Sequence, residues 1–124
     1  IAIGHFGMVT RQGWEEQIKL ARYKNVFIES GGITWLLNDE FYPFRGAIEA
    51  IRQAAALVGM EKLMWGSDYP RTITAITYRM SYDFVLKSNE LTPEEKAMFL
   101  GKNAEQFYGF KHLVELPYIK NMSE

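Results

Sequence analysis

Apolar residues recur along the chain in two alternating patterns. Short continuous runs stand at residues 1–5 (IAIGH), 25–30 (NVFIES) and within EKLMWGSDYP at 61–70, each closed by glycine or proline. Runs of that length, rich in β-branched and aromatic residues, predict three buried strands near 1–5, 25–30 and 62–67. Between the first two, Trp14, Ile18 and Ala21 recur at helical spacing with Glu15, Glu16, Lys19 and Arg22 on other faces, which predicts an amphipathic helix over 14–23. Phe44, Ala47, Ile48, Ile51, Ala54, Ala55 and Val58 form a second helical stripe, opposite Arg45, Glu49, Arg52 and Gln53, with Gly59 as its C-terminal cap. A third helix is expected over 76–87. The TPEE at 92–95 is a capping box with proline at the first helical position, so a fourth helix starts there and is expected to stop near Gly101. Asn103 is the expected cap of a further short helix carrying Phe107 and Tyr108. Residues 111–124 read as a peripheral tail.

Strands alternating with helices imply parallel βαβ units, because a parallel crossover takes a dozen or more residues and a helix usually fills it. The expected fold class is α/β: three parallel βα units followed by C-terminal helices, with residues 1–110 as one unit. Composition narrows the function classes. With 48% hydrophobic residues, the 124-residue chain can build a core as one soluble globular domain. Its 14 basic residues are scattered and its formal net charge is −1, so the field that draws proteins to nucleic acid is missing and no nucleic-acid partner is expected. No apolar run approaches the roughly 20 residues that cross a bilayer, so no membrane partner is expected either. The absence of cysteine excludes disulfides and thiolate metal sites and leaves His, Asp and Glu as metal donors; it fits a reducing compartment, and a cytoplasmic location is the expectation. The opening IAIGHFG reads as the inside of a strand with no initiator Met, and the chain is expected to begin within a larger fold.

In parallel α/β architectures reactive groups gather at the carboxyl ends of the strands. Here each strand ends on polar residues: His5, Glu29-Ser30 and Ser67-Asp68. Strands two apart lie roughly 10 Å from one another, at about 4.8 Å per step, a gap across which His5 and Asp68 can converge on one ion or substrate. Alternation puts Met64, Gly66 and Asp68 on one face and Leu63, Trp65 and Ser67 on the other, and Asp68 is expected to point inward with Ile1, Ile3 and His5. Each residue also has a plainer reading. His5 can be a hydrogen-bonded loop histidine, Asp68 a turn residue ahead of Tyr-Pro, Glu29 the partner of a nearby Arg or Lys, and Trp14 and Trp35 packing. His112 falls in the tail, where no role is expected. Neither histidine belongs to an HxH or HExxH motif.

As a set, HFG, NVFIESGG, LMWGSDYP and the closing GKNAEQFYGF resemble the last three β/α units of the amidohydrolase-related family, metal-dependent (β/α)8-barrel hydrolases and decarboxylases. The resemblance runs from Ile1 to about Phe110 and implies strands six to eight of a TIM barrel. It implies Asp68 as a metal ligand, His5 as the catalytic or substrate-polarising histidine, and a divalent metal, zinc foremost. Arg71, three residues past Asp68, and Trp35 are the substrate-binding candidates, for a small carboxylate-bearing molecule that is hydrolysed at a C–N or C–O bond or decarboxylated. The HxH pair of the family's first strand and the histidine of its fifth are absent from these 124 residues. A zinc site requires three protein ligands and a water. The expectation is therefore a C-terminal part of such an enzyme, without bound metal and inactive alone, that self-associates or pairs with the missing N-terminal part. Two open sheet edges should favour association, as should an inner face made of Ile1, Ile3, Met64 and either Val26 and Ile28 or Phe27; burying each such side chain is worth roughly 1.5–3 kcal/mol. The alternative is a small non-catalytic α/β binding or self-associating module, for which five or more strands in the chain would speak.

Overall fold

The structure is a computed structural model and describes residues 1–37 and 39–111; of the expected tail, only Lys111 falls within them, and His112 lies outside the described residues. Three strands, β1 (Ala2–Ile3), β2 (Phe27–Glu29) and β3 (Leu63–Met64), form a parallel sheet in the order β1-β2-β3. The α/β class follows. The ladders are shorter than the apolar runs that predict them, because His5, at φ 52°, turns the chain away from β2 directly after β1. Single bonds extend the pairing by a residue: Phe27 N–H donates to Ile1 O at 2.9 Å and Ser30 N–H to Met64 O at 2.8 Å.

Register decides which side chains share a face. Ile3 pairs with Ile28 and Ile28 with Leu63, so these three point together into the core. There they meet Trp14, Ile18 and Ala21 of α1 (Trp14–Lys19) and of the tighter turn that follows it. Ala47, Ile48, Ile51 and Ala54 of α3 (Arg45–Val58) complete the layer. The opposite face carries Ala2, Phe27, Glu29 and Met64. This corrects the expected inner face. Ile3, and Ile1 by the same alternation, belong to the helix side, and Phe27 rather than Val26 and Ile28 belongs to the inner side. Nor is that face bare: Met64 is 1% exposed, while Phe27 packs against Phe107, ring centroids 4.9 Å apart, beneath the Lys62 ammonium.

Two helices depart from expectation. The third, α4 (Met80–Lys87), starts four residues late, because Thr77 Oγ1 accepts from Met80 N–H at 3.2 Å and opens the helix there; residues 72–74 form only a tight turn. The capping box is present: Thr92 Oγ1 accepts from Glu95 N–H, and the Glu95 carboxylate from Thr92 N–H, starting α5 (Pro93–Ala97). This helix does not end at Gly101. It continues through a widened turn at Met98–Lys102 into α6 (Asn103–Tyr108), and Asn103 is not its cap. In the widened turn Asn103 N–H reaches Met98 O, five residues back, which releases the Phe99 carbonyl that an α-helix would have used. That carbonyl accepts from Trp65 N–H at 2.7 Å, and the Asn103 amide donates to Met60 O and Leu63 O, both at 2.7 Å. The outer edge of β3 is thereby occupied, and of the two open edges expected only that of β1 is left without a partner among the described residues. A four-residue helix, α2 (Ile33–Leu36), carries Trp35 and has no counterpart in the sequence reading.

Candidate active site

The three strand ends meet at one edge of the sheet. His5 and Asp68 both hold left-handed backbone conformations, with φ of 52° and 50°. Such values are uncommon outside glycine and cluster where a fold needs an unusual direction of a side chain. The effect here is to bring His5 Nδ1 within 3.9 Å of Asp68 Oδ1 across the sheet. The strand alternation predicted for Asp68 does not extend to it, since β3 ends at Met64 and the left-handed turn sets its direction instead.

Each side chain has a second anchor. His5 Nδ1 lies 3.0 Å from Gly31 O. A carbonyl oxygen only accepts, so Nδ1 carries a proton, and in the neutral form of the ring the lone pair stands at Nε2. Trp35 Nε1 donates to Asp68 Oδ2 at 2.6 Å, which fixes the carboxylate and leaves Oδ1 toward His5. The Trp35 ring also meets the edge of His5 at 5.9 Å between centroids and lies 4.9 Å beneath the Arg71 guanidinium carbon. The structure thus brings His5, Trp35, Asp68 and Arg71 into one group, and Trp35 does more than pack. Trp14, by contrast, is buried, with its indole N–H on Phe6 O at 2.7 Å. A cleft of about 310 Å³ opens beside Trp35, walled by Phe41, Tyr42, Phe44, Ile76 and Met80.

Glu29 was named from the sequence as a polar strand end but given no role in the site. No basic side chain pairs with it among the described residues, contrary to the plain reading. Its carboxylate lies across the inner face toward β3, in space that exists because position 66 is glycine: a Cβ there would collide with Glu29 Oε1. Gly31 N–H donates to the same oxygen at 2.8 Å. Burial pushes the carboxyl above its ordinary pKa, opposed by the Gly31 N–H and more weakly by the His5 N–H and the nearness of the His5 ring, while Asp68 adds to the rise. The available signal was positional: Gly4 and Gly66 stand just past the strands on either side of a carboxylate at the end of β2.

The donor set can be tested against a metal. Among the described residues no three His, Cys, Asp or Glu side chains cluster as a cation site. His5 Nδ1 is already committed to Gly31 O, and Asp68 Oδ1 is the carboxylate oxygen left without a hydrogen bond. The described residues therefore offer a metal Asp68 Oδ1 and at most the bare Nε2 of His5, short of the three protein ligands of a zinc site.

A family model for amidohydrolases matches residues 1–110, and the chain belongs to the amidohydrolase family. Solved structures share its fold. An amidohydrolase from Burkholderia multivorans with bound zinc superposes with a TM-score of 0.70, and one from the same organism with bound HEPES with 0.68; each is 20% identical over 89% of this chain and 44% of that chain. The chain thus spans less than half the length of these solved relatives. No curated protein matches it. Among the described residues no helix is long and apolar enough to cross a membrane.

Proposed function

We propose that these residues are the C-terminal part of a metal-dependent amidohydrolase that hydrolyses or decarboxylates a small carboxylate-bearing substrate, with β1, β2 and β3 corresponding to strands six to eight of its barrel. The observation that carries this reading is the meeting of His5 and Asp68 at the carboxyl ends of parallel strands, in a chain of that family. Zinc bound in a structure of the same fold supports the choice of metal. Asp68 Oδ1 would be one ligand, with the others supplied from outside these residues. A bound divalent metal supplies Lewis acidity and makes a water acidic near neutral pH.

The chain's own groups do the rest. Trp35 holds Asp68 by its indole N–H, so the carboxylate keeps one oxygen and one direction. His5, tied at Nδ1, takes up a proton at Nε2 and returns it from the same atom to an oxygen that gains charge. Arg71 lies over the Trp35 ring with its guanidinium exposed, placed to take a substrate carboxylate as a fork while the cleft beside Trp35 receives the apolar remainder. The non-catalytic module is the weaker reading, because the described residues hold three strands rather than five and their polar strand ends converge.

Steady-state kinetics of the complete protein, against a panel of carboxylate-bearing amides, lactones and decarboxylation substrates, test this. His5→Asn should lower kcat by about 10²–10⁴-fold, the usual range for a lost general acid or base, and Arg71→Ala should act mainly on KM. Unchanged kcat in His5→Asn would refute the role.

A further inference from the structure

Glu29 is a half-buried carboxylate on the inner face without a basic partner among the described residues. Such a group opposes folding unless its bonds serve something. The fold nevertheless makes room for it. Gly66 clears the space just past β3, Gly31 lies close enough that a Cβ would stand 2.8 Å from Oε1, and a Cβ at Gly4, just past β1, would stand 3.7 Å from Oε2. The bonds it makes lead to the histidine. Glu29 Oε1 accepts from Gly31 N–H at 2.8 Å, and Gly31 O, at the other end of the same residue, accepts from His5 Nδ1 at 3.0 Å. Gly31 has no side chain to fix it, so a bond at its N–H limits the freedom of the backbone that carries the carbonyl.

We propose that Glu29 is a positioning residue: by fixing Gly31 it holds His5 in the Nδ1–H tautomer and so presents a bare Nε2 to the reacting groups. The functional meaning rests on the proposed role of His5, but the tautomer itself does not. A ring released from Gly31 would exchange its proton between the two nitrogens and turn toward Asp68 Oδ1, already 3.9 Å from Nδ1. Glu29 touches no reacting atom in this scheme and acts on the ring through Gly31, beside its weaker interaction with the His5 backbone N–H.

Imidazole ¹⁵N shifts of histidine-labelled protein read this directly, at about pH 9, well above the reference range of free histidine. The His5→Asn spectrum assigns the His5 signals by subtraction. Wild type should show Nδ1 protonated and Nε2 bare. Glu29→Ala should shift the tautomer ratio toward Nε2–H by roughly fivefold or more, the worth of one typical hydrogen bond. Glu29→Gln keeps an oxygen that can accept from Gly31 and should resemble wild type. Ile51→Val, a core change remote from the strand ends, should leave the ratio unchanged, separating positioning from general destabilisation. A wild-type ring protonated at Nε2, or a folded Glu29→Ala protein with the wild-type ratio, would overturn the proposal. Should Glu29→Ala fail to fold, Glu29→Gln decides: the wild-type ratio supports the proposal, and loss of the Nδ1–H form overturns it. None of these outcomes depends on turnover, so they stand apart from any failure of the catalytic reading.

Discussion

At the scale of single residues the site depends on where side chains are missing as much as on where they are present. Gly66 is the sharpest case. Its Cα faces the Glu29 carboxylate so closely that any side chain would displace it. Gly66→Ala should destabilise the fold by about 1–3 kcal/mol, the usual cost of forcing extra volume into a packed place. Adding Glu29→Ala to the same chain should recover much of that loss, because the two changes share one space. Chemical denaturation of the single and double variants checks this, and strictly additive losses would contradict the shared space. His5 and Asp68 were legible from the sequence because each closes an apolar run, the place where a parallel sheet exposes polar groups. Glu29 occupies an equivalent place and was not legible as part of the site. Its importance comes from register: only when Ile28 is set against Ile3 and Leu63 does it become clear that Glu29 shares a face with Met64 and lies beside Gly66. The direction of Asp68 was equally hidden, since a left-handed turn overrides strand alternation.

At the scale of elements, the long periodic stripe of α3 and the capping box of α5 were readable because their signals are local. The start of α4 was not, since its apolar pattern runs on upstream of Thr77, where the backbone commits to a loop. The helix itself is anchored by Asp83. Its carboxylate accepts from Tyr42 Oη at 3.0 Å and from Lys87 Nζ at 2.6 Å, with Arg79 3.8 Å away, and so ties α4 to the segment ahead of α3. The Lys87 hydrogen bond is the main cause holding the Asp83 carboxyl below its ordinary pKa; burial opposes it, while Tyr42 and the charges of Lys87 and Arg79 assist. The folded state therefore binds this proton more weakly than the unfolded chain. The stabilisation is complete above the ordinary carboxylate range near pH 4 and is lost as pH falls through the lower folded value. Asp83→Asn should lower the melting temperature at pH 7 and weaken its acid dependence. Parallel thermal melts of both proteins between pH 7 and pH 3 would show it, and identical acid slopes would contradict it.

The joining of α5 to α6 belongs to both element and molecule. A glycine at 101 and an asparagine at 103 read locally as stop and cap. In three dimensions the Asn103 side chain serves β3 instead, bonding two carbonyls at its entrance, while the widened turn gives Phe99 O to Trp65. No local rule distinguishes these uses, because the deciding partners lie about forty residues earlier in the chain.

At the scale of the whole molecule, one edge of the sheet is occupied and the other, among the described residues, is not. Ile1 is 71% exposed beside the outer edge of β1, and the site at the strand ends offers a metal one carboxylate oxygen. In the proposed barrel, further strands would pair with β1 and further ligands would stand above the sheet. The central claim is that Asp68 is one ligand of a metal held jointly with residues beyond this chain. The most direct measurement is the metal content, by elemental analysis after gel filtration against a mild chelator, of the complete protein, of its Asp68→Ala variant and of the 124-residue chain alone. The account predicts about one divalent ion per complete protein, as a single site requires, and essentially none in Asp68→Ala or in the isolated chain. A full complement of metal in the Asp68→Ala variant would contradict it.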